Sequence, residues 1–398
     1  MKILHSLHKK MFAVLLAVLL VLPLILLQGT AAYADGSESG GTETPDIKAE
    51  AAILIDADTG RVLWSKNGEE RHYPASMTKM MTALLGISLL PPDAKITISE
   101  NAANTEDTPL HIAKGDVITS EELLRGMMMM SDNGAAVAVA EQIDGSTALF
   151  ADRMNEKAAE IGMLDTHFAN PNGLTDPNHY STPHDMARLA QYGMKNPVFR
   201  DFVRQKERQI SWLSPSGKTI LAENTNELLG KYEGITGIKT GWTKAAGGCL
   251  AASAERDGVH LIAVVMKSPT EDERFADMRK ILDYGFANVT LANGPTTKEA
   301  SRHVWVKNSV NSRVRVHPAM DIDFPLLPGE DAKKFSVRYE VPKVLSGPLY
   351  AGEVVGKAII TYDGEDVGSV DMTADEAPAG FGLGSWLVGL FETPLSWF

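Results

Sequence analysis

The sequence predicts a mixed α/β (α+β) protein in which an antiparallel sheet is flanked by helices, followed by a small C-terminal all-β domain and an amphipathic tail helix. Three observations lead there. Apolar runs broken by short turns stand at both ends of residues 51–292, helical periodicity fills the stretch between them, and beyond about Asn293 the texture changes to alternation punctuated by proline. At 398 residues the chain exceeds the roughly 250–300 at which one hydrophobic core stops growing, so more than one unit is expected. Apolar residues at 44% and charged residues at 22% exclude both a disordered chain and a polytopic membrane protein. Lys+Arg number 38 against 51 Asp+Glu, a formal net charge of −13, which argues against nucleic acid as a partner. The single cysteine, Cys249, cannot make an internal disulfide and lies in an apolar run that predicts burial.

The elements follow in order. Ala51–Ser65 holds two apolar runs around Asp58-Thr59-Gly60, a hairpin signal. From Ser76 to about Leu90 the apolar spacing is helical, and Pro91-Pro92 stops it. Thr119-Ser120-Glu121-Glu122 reads as a capping box opening a helix over Glu121–Met130, and Asn133–Ile143 opens another. An amphipathic helix over Phe150–Gly162, a turn-rich stretch Asn170–Pro183 and a helix over Asp185–Lys195 come next. Gly248–Ala254 and Val259–Lys267 flank Asp257-Gly258 as a second hairpin, with a closing helix over Ala276–Gly285. The all-β domain is placed at 295–376, with Phe335–Val341 alternating and a turn at Asp363-Gly364.

Both termini carry addresses. Residues 1–34 run from Lys2, Lys9 and Lys10 through the apolar block Met11–Leu27 to Ala32-Tyr33-Ala34, which reads as a secretory signal peptide with a small-residue cleavage site, an uncleaved membrane anchor being the alternative. Its removal takes three lysines and no acids, moving the net charge from −13 to −16 and leaving residues 35–50 as a polar leader. In 380–398, Leu383, Trp386, Leu387, Leu390, Phe391, Leu395 and Phe398 recur at helical spacing. Glu392 and Pro394 interrupt the segment, so it suits the plane of a membrane surface better than a span, which wants ~20 apolar residues. A tail packed on the body is the alternative.

Three short motifs bear chemistry. Ser76-Met77-Thr78-Lys79 projects a hydroxyl and an amine from one face of a helix start. Serine needs a base, and a lysine serves as one only when its pKa falls by roughly 3 units from ~10.4, about 4 kcal/mol. Fifty-five residues on, Ser131-Asp132-Asn133 lies between two helices, where Ser131 can relay a proton and Asn133 can hold both the lysine and a substrate carbonyl. A further 108 residues on, Lys239-Thr240-Gly241 precedes the second hairpin and leads into Trp242. There a substrate backbone can lie along the strand edge, Lys239 and Thr240 facing its terminal carboxylate while Gly241 leaves room. Alone, each motif reads more simply as a helix cap, an Asx turn or a surface turn.

Together and in this order they resemble the low-molecular-mass penicillin-binding proteins, the serine-type D-alanyl-D-alanine carboxypeptidases, over essentially the whole chain. The resemblance implies a penicillin-binding/β-lactamase-like transpeptidase fold and no metal or organic cofactor. It implies peptidoglycan stem peptides as substrate and β-lactams as inhibitors. Ser76 would be the acylated nucleophile, Lys79 its general base and Ser131 with Asn133 the second element; Lys239 and Thr240 would bind substrate. The backbone N–H groups of Ser76 and Trp242 would form the oxyanion hole. Arg274 falls where such enzymes place an arginine against the terminal carboxylate, although Glu271, Asp272 and Glu273 just before it suit an ordinary ion pair. The stretch containing Asn170-Pro171-Asn172-Gly173-Leu174 and His179-Tyr180-Ser181-Thr182 also matches the family and is given an architectural role.

Rivals remain. A class A β-lactamase would carry a Glu-x-x-Leu-Asn segment that is not found; an α/β-hydrolase would carry a Gly-x-Ser-x-Gly elbow, also not found. A metallopeptidase built on His179, His184 and Asp185 matches no zinc spacing. Endopeptidase or transpeptidase activity on the same acyl-enzyme stays open, as does an inactive wall-binding protein.

Overall fold

The computed structural model describes residues 43–380 and Gly382. The signal-peptide stretch, most of the leader and, apart from Gly380 and Gly382, the tail segment lie outside the described residues.

Strands β1 (Ala51–Asp56) and β2 (Val62–Lys66) form the first hairpin. With β3 (Ile235–Thr243), β4 (Gly247–Arg256) and β5 (Val259–Ser268) they build one antiparallel sheet in the order β2-β1-β5-β4-β3. The β4–β5 connection places Asp257 at φ 49° and Gly258 at φ 82°, the backbone that a two-residue hairpin turn demands and Asp-Gly favours. The central strands are buried on both faces, so β1 reads Ala-Ala-Ile-Leu-Ile-Asp without polar alternation.

Among the described residues the longer helices that flank this sheet are α1 (Lys79–Leu89), α2 (Ser120–Met130), α3 (Asn133–Asp144), α4 (Thr147–Glu160), α5 (Pro183–Met194), α6 (Pro197–Arg204) and α7 (Glu271–Asn288). Ile53 and Ile55 point to one face, into a cluster with Met77, Met80, Met127 and Phe168. Ala52 and Leu54 point to the other, where α7 brings Phe275, Met278, Ile281 and Leu282. Burying side chains of this size stabilises by about 1.5–3 kcal/mol each, which makes the sandwich a stiff platform for whatever stands on its edge.

Caps set the helix starts. Thr119 accepts from the Glu122 amide at 3.3 Å, but the Glu122 carboxylate turns to the Ser211 amide, so half of the expected box forms. Asp132 caps α3 through the Ala135 amide at 2.6 Å. The stretch expected as a helix from Ser76 begins as a 3₁₀ turn, Ala75–Thr78, and becomes α-helical at Lys79. The closing helix is longer than its apolar period suggested, because Thr270 caps it ahead of the acidic first turn.

Two expectations change. Lys239-Thr240-Gly241 lies inside β3, the edge strand, and not ahead of the strands. The leader gives way to the body before Ala51: Ile47 and Ala49 are buried, and the Lys48 and Ala49 amides bond to Asp277.

Residues 302–374 contribute a six-stranded sheet with its own core, including Val306, Val316, Ile360 and Met372. It is joined to the first hairpin. Arg61 is buried, bonds to the Pro325 carbonyl and Glu330, and lies 5.0 Å over the Phe335 ring. The Ser369 amide donates to the Thr59 carbonyl at 2.7 Å.

Candidate active site

The sheet edge, the 3₁₀ turn and two loops converge. Lys79 Nζ is fully buried, 2.8 Å from Ser76 Oγ, 2.6 Å from Asn133 Oδ1 and 2.7 Å from the Asn172 carbonyl. Burial pushes the amine down to about 7, against the opposing charges of Asp132 and Asp107. A neutral amine has two N–H bonds and one lone pair. With Asn133 and Asn172 accepting the hydrogens, the lone pair faces the Ser76 hydroxyl, the geometry a general base requires. At pH 7 about half such amines are neutral, against about one in three thousand at an ordinary lysine pKa.

Asn133 is fixed in turn: its Nδ2 donates to the Glu106 carbonyl at 3.0 Å and its amide to Asp107 at 3.1 Å. Asp132 is buried and accepts from the Leu110 and Ala135 amides, holding the turn between α2 and α3. Ser131 sits at the C-cap of α2 with φ 63°, and its hydroxyl makes no hydrogen bond among the described residues.

β3 passes Ser76 at backbone distance. A Cβ on Gly241 would stand 3.0 Å from the Ser76 nitrogen and 3.1 Å from the Pro74 carbonyl, a tight fit that favours glycine at this approach. Lys239 is buried and donates to the Thr240 carbonyl at 3.1 Å, with no carboxylate partner among the described residues. Burial, and then the charges of Lys79 and Arg274, hold it well below an ordinary lysine. Thr240 Oγ1 lies 2.6 Å from Thr225 Oγ1, and Trp242 is 42% exposed at the strand's end.

Arg274 is buried behind this strand; it donates to the Gly241 carbonyl and to Glu271, both at 2.9 Å. Its Nε has no partner among the described residues. The ion pair expected of Arg274 is present, and its guanidinium also touches the third motif through the Gly241 carbonyl.

The structure adds Asn172, whose role is carried by a backbone carbonyl. Gly173 stands beside it at φ +88°, where a Cβ would fall 2.0 Å from the Ala75 carbonyl oxygen. The loop expected to be architectural therefore reaches the amine itself. Gly173→Ala is expected to push the nucleophile's turn aside and slow penicillin acylation on the order of 100-fold, the usual cost of a misplacement of about 1 Å. Timed labelling with a fluorescent penicillin checks this; an unchanged rate would show that the loop does not set the turn.

The residues of the metallopeptidase rival are bound elsewhere. His179 uses both ring nitrogens on Thr78 and Ala169, His184 pairs with Glu69, and Asp185 accepts from Asp165 and Thr166.

A serine hydroxyl 2.8 Å from a buried lysine amine, beside a strand edge carrying a second buried lysine, is an arrangement suited to serine acyl transfer. Residues 39–270 match the peptidase family described as D-alanyl-D-alanine carboxypeptidase, and residues 297–378 match the C-terminal domain of penicillin-binding protein 5. The chain belongs to this D-alanyl-D-alanine carboxypeptidase family. It is 33% identical over 91% of its length to the Bacillus subtilis D-alanyl-D-alanine carboxypeptidase DacF, covering 94% of that protein. Penicillin-binding protein 5 from Haemophilus influenzae superposes with a TM-score of 0.65 at 30% identity, over 85% of this chain and 100% of that one. A Streptomyces DD-transpeptidase gives 0.59 at 34% identity, over 62% of this chain and 100% of that one.

Proposed function

We propose that this protein is a serine-type D-alanyl-D-alanine carboxypeptidase that removes the terminal D-alanine from peptidoglycan stem pentapeptides through an acyl-enzyme on Ser76. The observation that carries this reading is the buried Lys79 amine 2.8 Å from Ser76 Oγ with a pKa of about 7. Ser76 Oγ attacks the carbonyl of the penultimate D-alanine while Lys79 takes its proton. The tetrahedral oxyanion is held by the backbone N–H groups of Ser76 and Trp242. Collapse breaks the peptide bond, and the proton passes to the departing amine of D-alanine, with Ser131 as the relay. Water then hydrolyses the ester, releasing the shortened peptide and restoring the serine.

The substrate's carboxylate supplies the anion that Lys239 lacks, assisted by Thr240 and Arg274, while its backbone lies along β3 beside Gly241, with Asn133 on its carbonyl. A β-lactam would acylate the same oxygen. No cofactor enters any step. Incubating the protein with a pentapeptide ending in D-Ala-D-Ala is expected to release free D-alanine, and prior treatment with penicillin to stop the release. Release that persists after stoichiometric labelling would overturn the reading. Transpeptidation uses the same ester, with an amine in place of water, and a donor and acceptor peptide supplied together would reveal it as a joined product.

Arg274→Gln is expected to raise KM for the peptide about tenfold or more, the cost of one charge-assisted hydrogen bond, while penicillin acylation changes less than threefold. Equal losses in both would remove the arginine from carboxylate binding.

The reading includes export by residues 1–34 and attachment to the outer face of the membrane through 380–398. The mature protein is expected to sediment with membranes in high salt and to be released by detergent; recovery wholly in the soluble fraction would remove the attachment.

A further inference from the structure

A buried imidazole is wired into the nucleophile's turn. His179 lies in the loop that follows Asn172 and is 1% exposed. Its Nδ1 accepts from the Ala169 amide at 3.1 Å. An amide N–H only donates, so Nδ1 carries the lone pair and the ring hydrogen sits on Nε2. Nε2 then donates to Thr78 Oγ1 at 2.8 Å. Thr78 is fully buried and lies between Ser76 and Lys79 in the chain. Phe168 packs edge-on against the imidazole, ring centroids 5.7 Å apart, and restricts its rotation.

We propose that His179 is a positioning residue for acylation: by donating to Thr78 it clamps the loop against the Ser76–Lys79 turn, keeping the Asn172 carbonyl on Lys79 and the amine's lone pair on Ser76. The inference rests on the reading of Lys79 as the base. The loop's other ties to α1 are backbone carbonyls, Asn172 accepting from Lys79 and Pro171 from Thr82 Oγ1 at 2.6 Å. A drift of about 0.5 Å would take a hydrogen bond of this length to the edge of its range, and the amine would lose one of its two acceptors. Admitting water beside Lys79 would also weaken the burial that holds its pKa down.

Burial keeps His179 itself near 4, and the ionisable groups that act on it are Asp176, His167 and Lys79. The imidazole therefore stays neutral through the pH range in which Lys79 titrates, so a displaced pH profile in a variant reports on Lys79 and not on the histidine.

The experiment is the rate of penicillin acylation of the full-length protein from pH 5 to 9, with Tm measured alongside. Asparagine at 179 retains an acceptor near the Nδ1 position and does not reach Thr78, whereas glutamine places an amide N–H near Nε2. Thr78→Val removes the acceptor from the other side, and Thr78→Ser keeps it. His179→Asn and Thr78→Val are each expected to lower the plateau rate about tenfold, the size of one lost buried hydrogen bond, and to move the profile's midpoint upward. His179→Gln and Thr78→Ser should stay near the parent rate, and the double variant His179→Asn/Thr78→Val should be no slower than the slower single one. An unmoved midpoint with rates that merely follow Tm would overturn the inference, as would His179→Gln behaving like His179→Asn. A parent protein that penicillin does not acylate at Ser76 would instead sink the underlying reading, and this inference with it.

Discussion

Ser76→Ala is expected to abolish covalent labelling by penicillin and to reduce D-alanine release by on the order of 10⁵–10⁶-fold, the loss seen when a catalytic serine is removed. The size follows from chemistry. Without the oxygen no ester forms, and what remains is the binding of substrate against β3 beside Lys239, which breaks no peptide bond. Removing the hydroxyl takes away one of Lys79's three hydrogen-bond partners but leaves the Asn133 and Asn172 oxygens in place, so the fold should tolerate the change with Tm moved by only a few degrees. Non-covalent binding of penicillin should persist for the same reason. Mass spectrometry of the treated protein decides it: a penicilloyl adduct on the variant at the parent level would move the nucleophile to another residue and undo the assignment of the three motifs.

How much of this was legible follows the kind of signal each feature writes into the chain. The hairpins at Asp58-Thr59-Gly60 and Asp257-Gly258 and the helices around Glu121–Met130 and Asn133–Ile143 are local, because turn chemistry and apolar period are properties of neighbouring residues. In the run Met127–Met130 the first three methionines are buried as the helical period requires and Met130 is half-buried, and Cys249 is buried too. β3 was hidden because Lys239-Thr240-Gly241, taken alone, reads as a surface turn. Its burial comes from packing on Ala75–Ser76, a contact between stretches more than 150 residues apart that no local pattern records. α6, which buries Phe199 and Phe202, and the small hairpin of residues 207–211 and 219–223 passed unnoticed because each is short and interspersed with charged residues.

In the site, the side chains that touch the amine were legible from spacing and family resemblance, since Ser76, Lys79 and Asn133 act through their own functional groups. Asn172 was not, because a carbonyl is common to every residue; the adjoining Asn-Gly pair, which marks the left-handed turn at Gly173, was its one trace. Thr225, which braces Thr240, left none. Arg274 was singled out by the family resemblance, and the structure adds that its guanidinium holds the Gly241 carbonyl.

Lys79→Ala is expected to slow acylation about 10³–10⁴-fold, the upper range for loss of a general base, while leaving Ser76 in place to react slowly with penicillin. Lys79→Arg should be no better, because a guanidinium stays charged at any working pH and cannot accept the proton. The parent protein provides the sharper test. With the amine's pKa near 7, the acylation rate should rise about tenfold per pH unit below that value and level off above it, since the neutral form is the reactive one. Stability carries the same signature. The folded pKa lies below the unfolded one, so between about 7 and 10.5 the unfolded chain holds a proton that the folded protein has released, and Lys79 makes folding more favourable as pH rises through that window. The cost of keeping the amine buried is fully present below it. Lys79→Ala should therefore flatten this part of the parent's stability profile, measured as the difference in urea midpoint between pH 7 and pH 9.5. A rate profile flat from pH 5 to 9 in the parent, or a variant that keeps the parent's stability slope, would mean that the lysine is not the group titrating and that Ser76 surrenders its proton to something else.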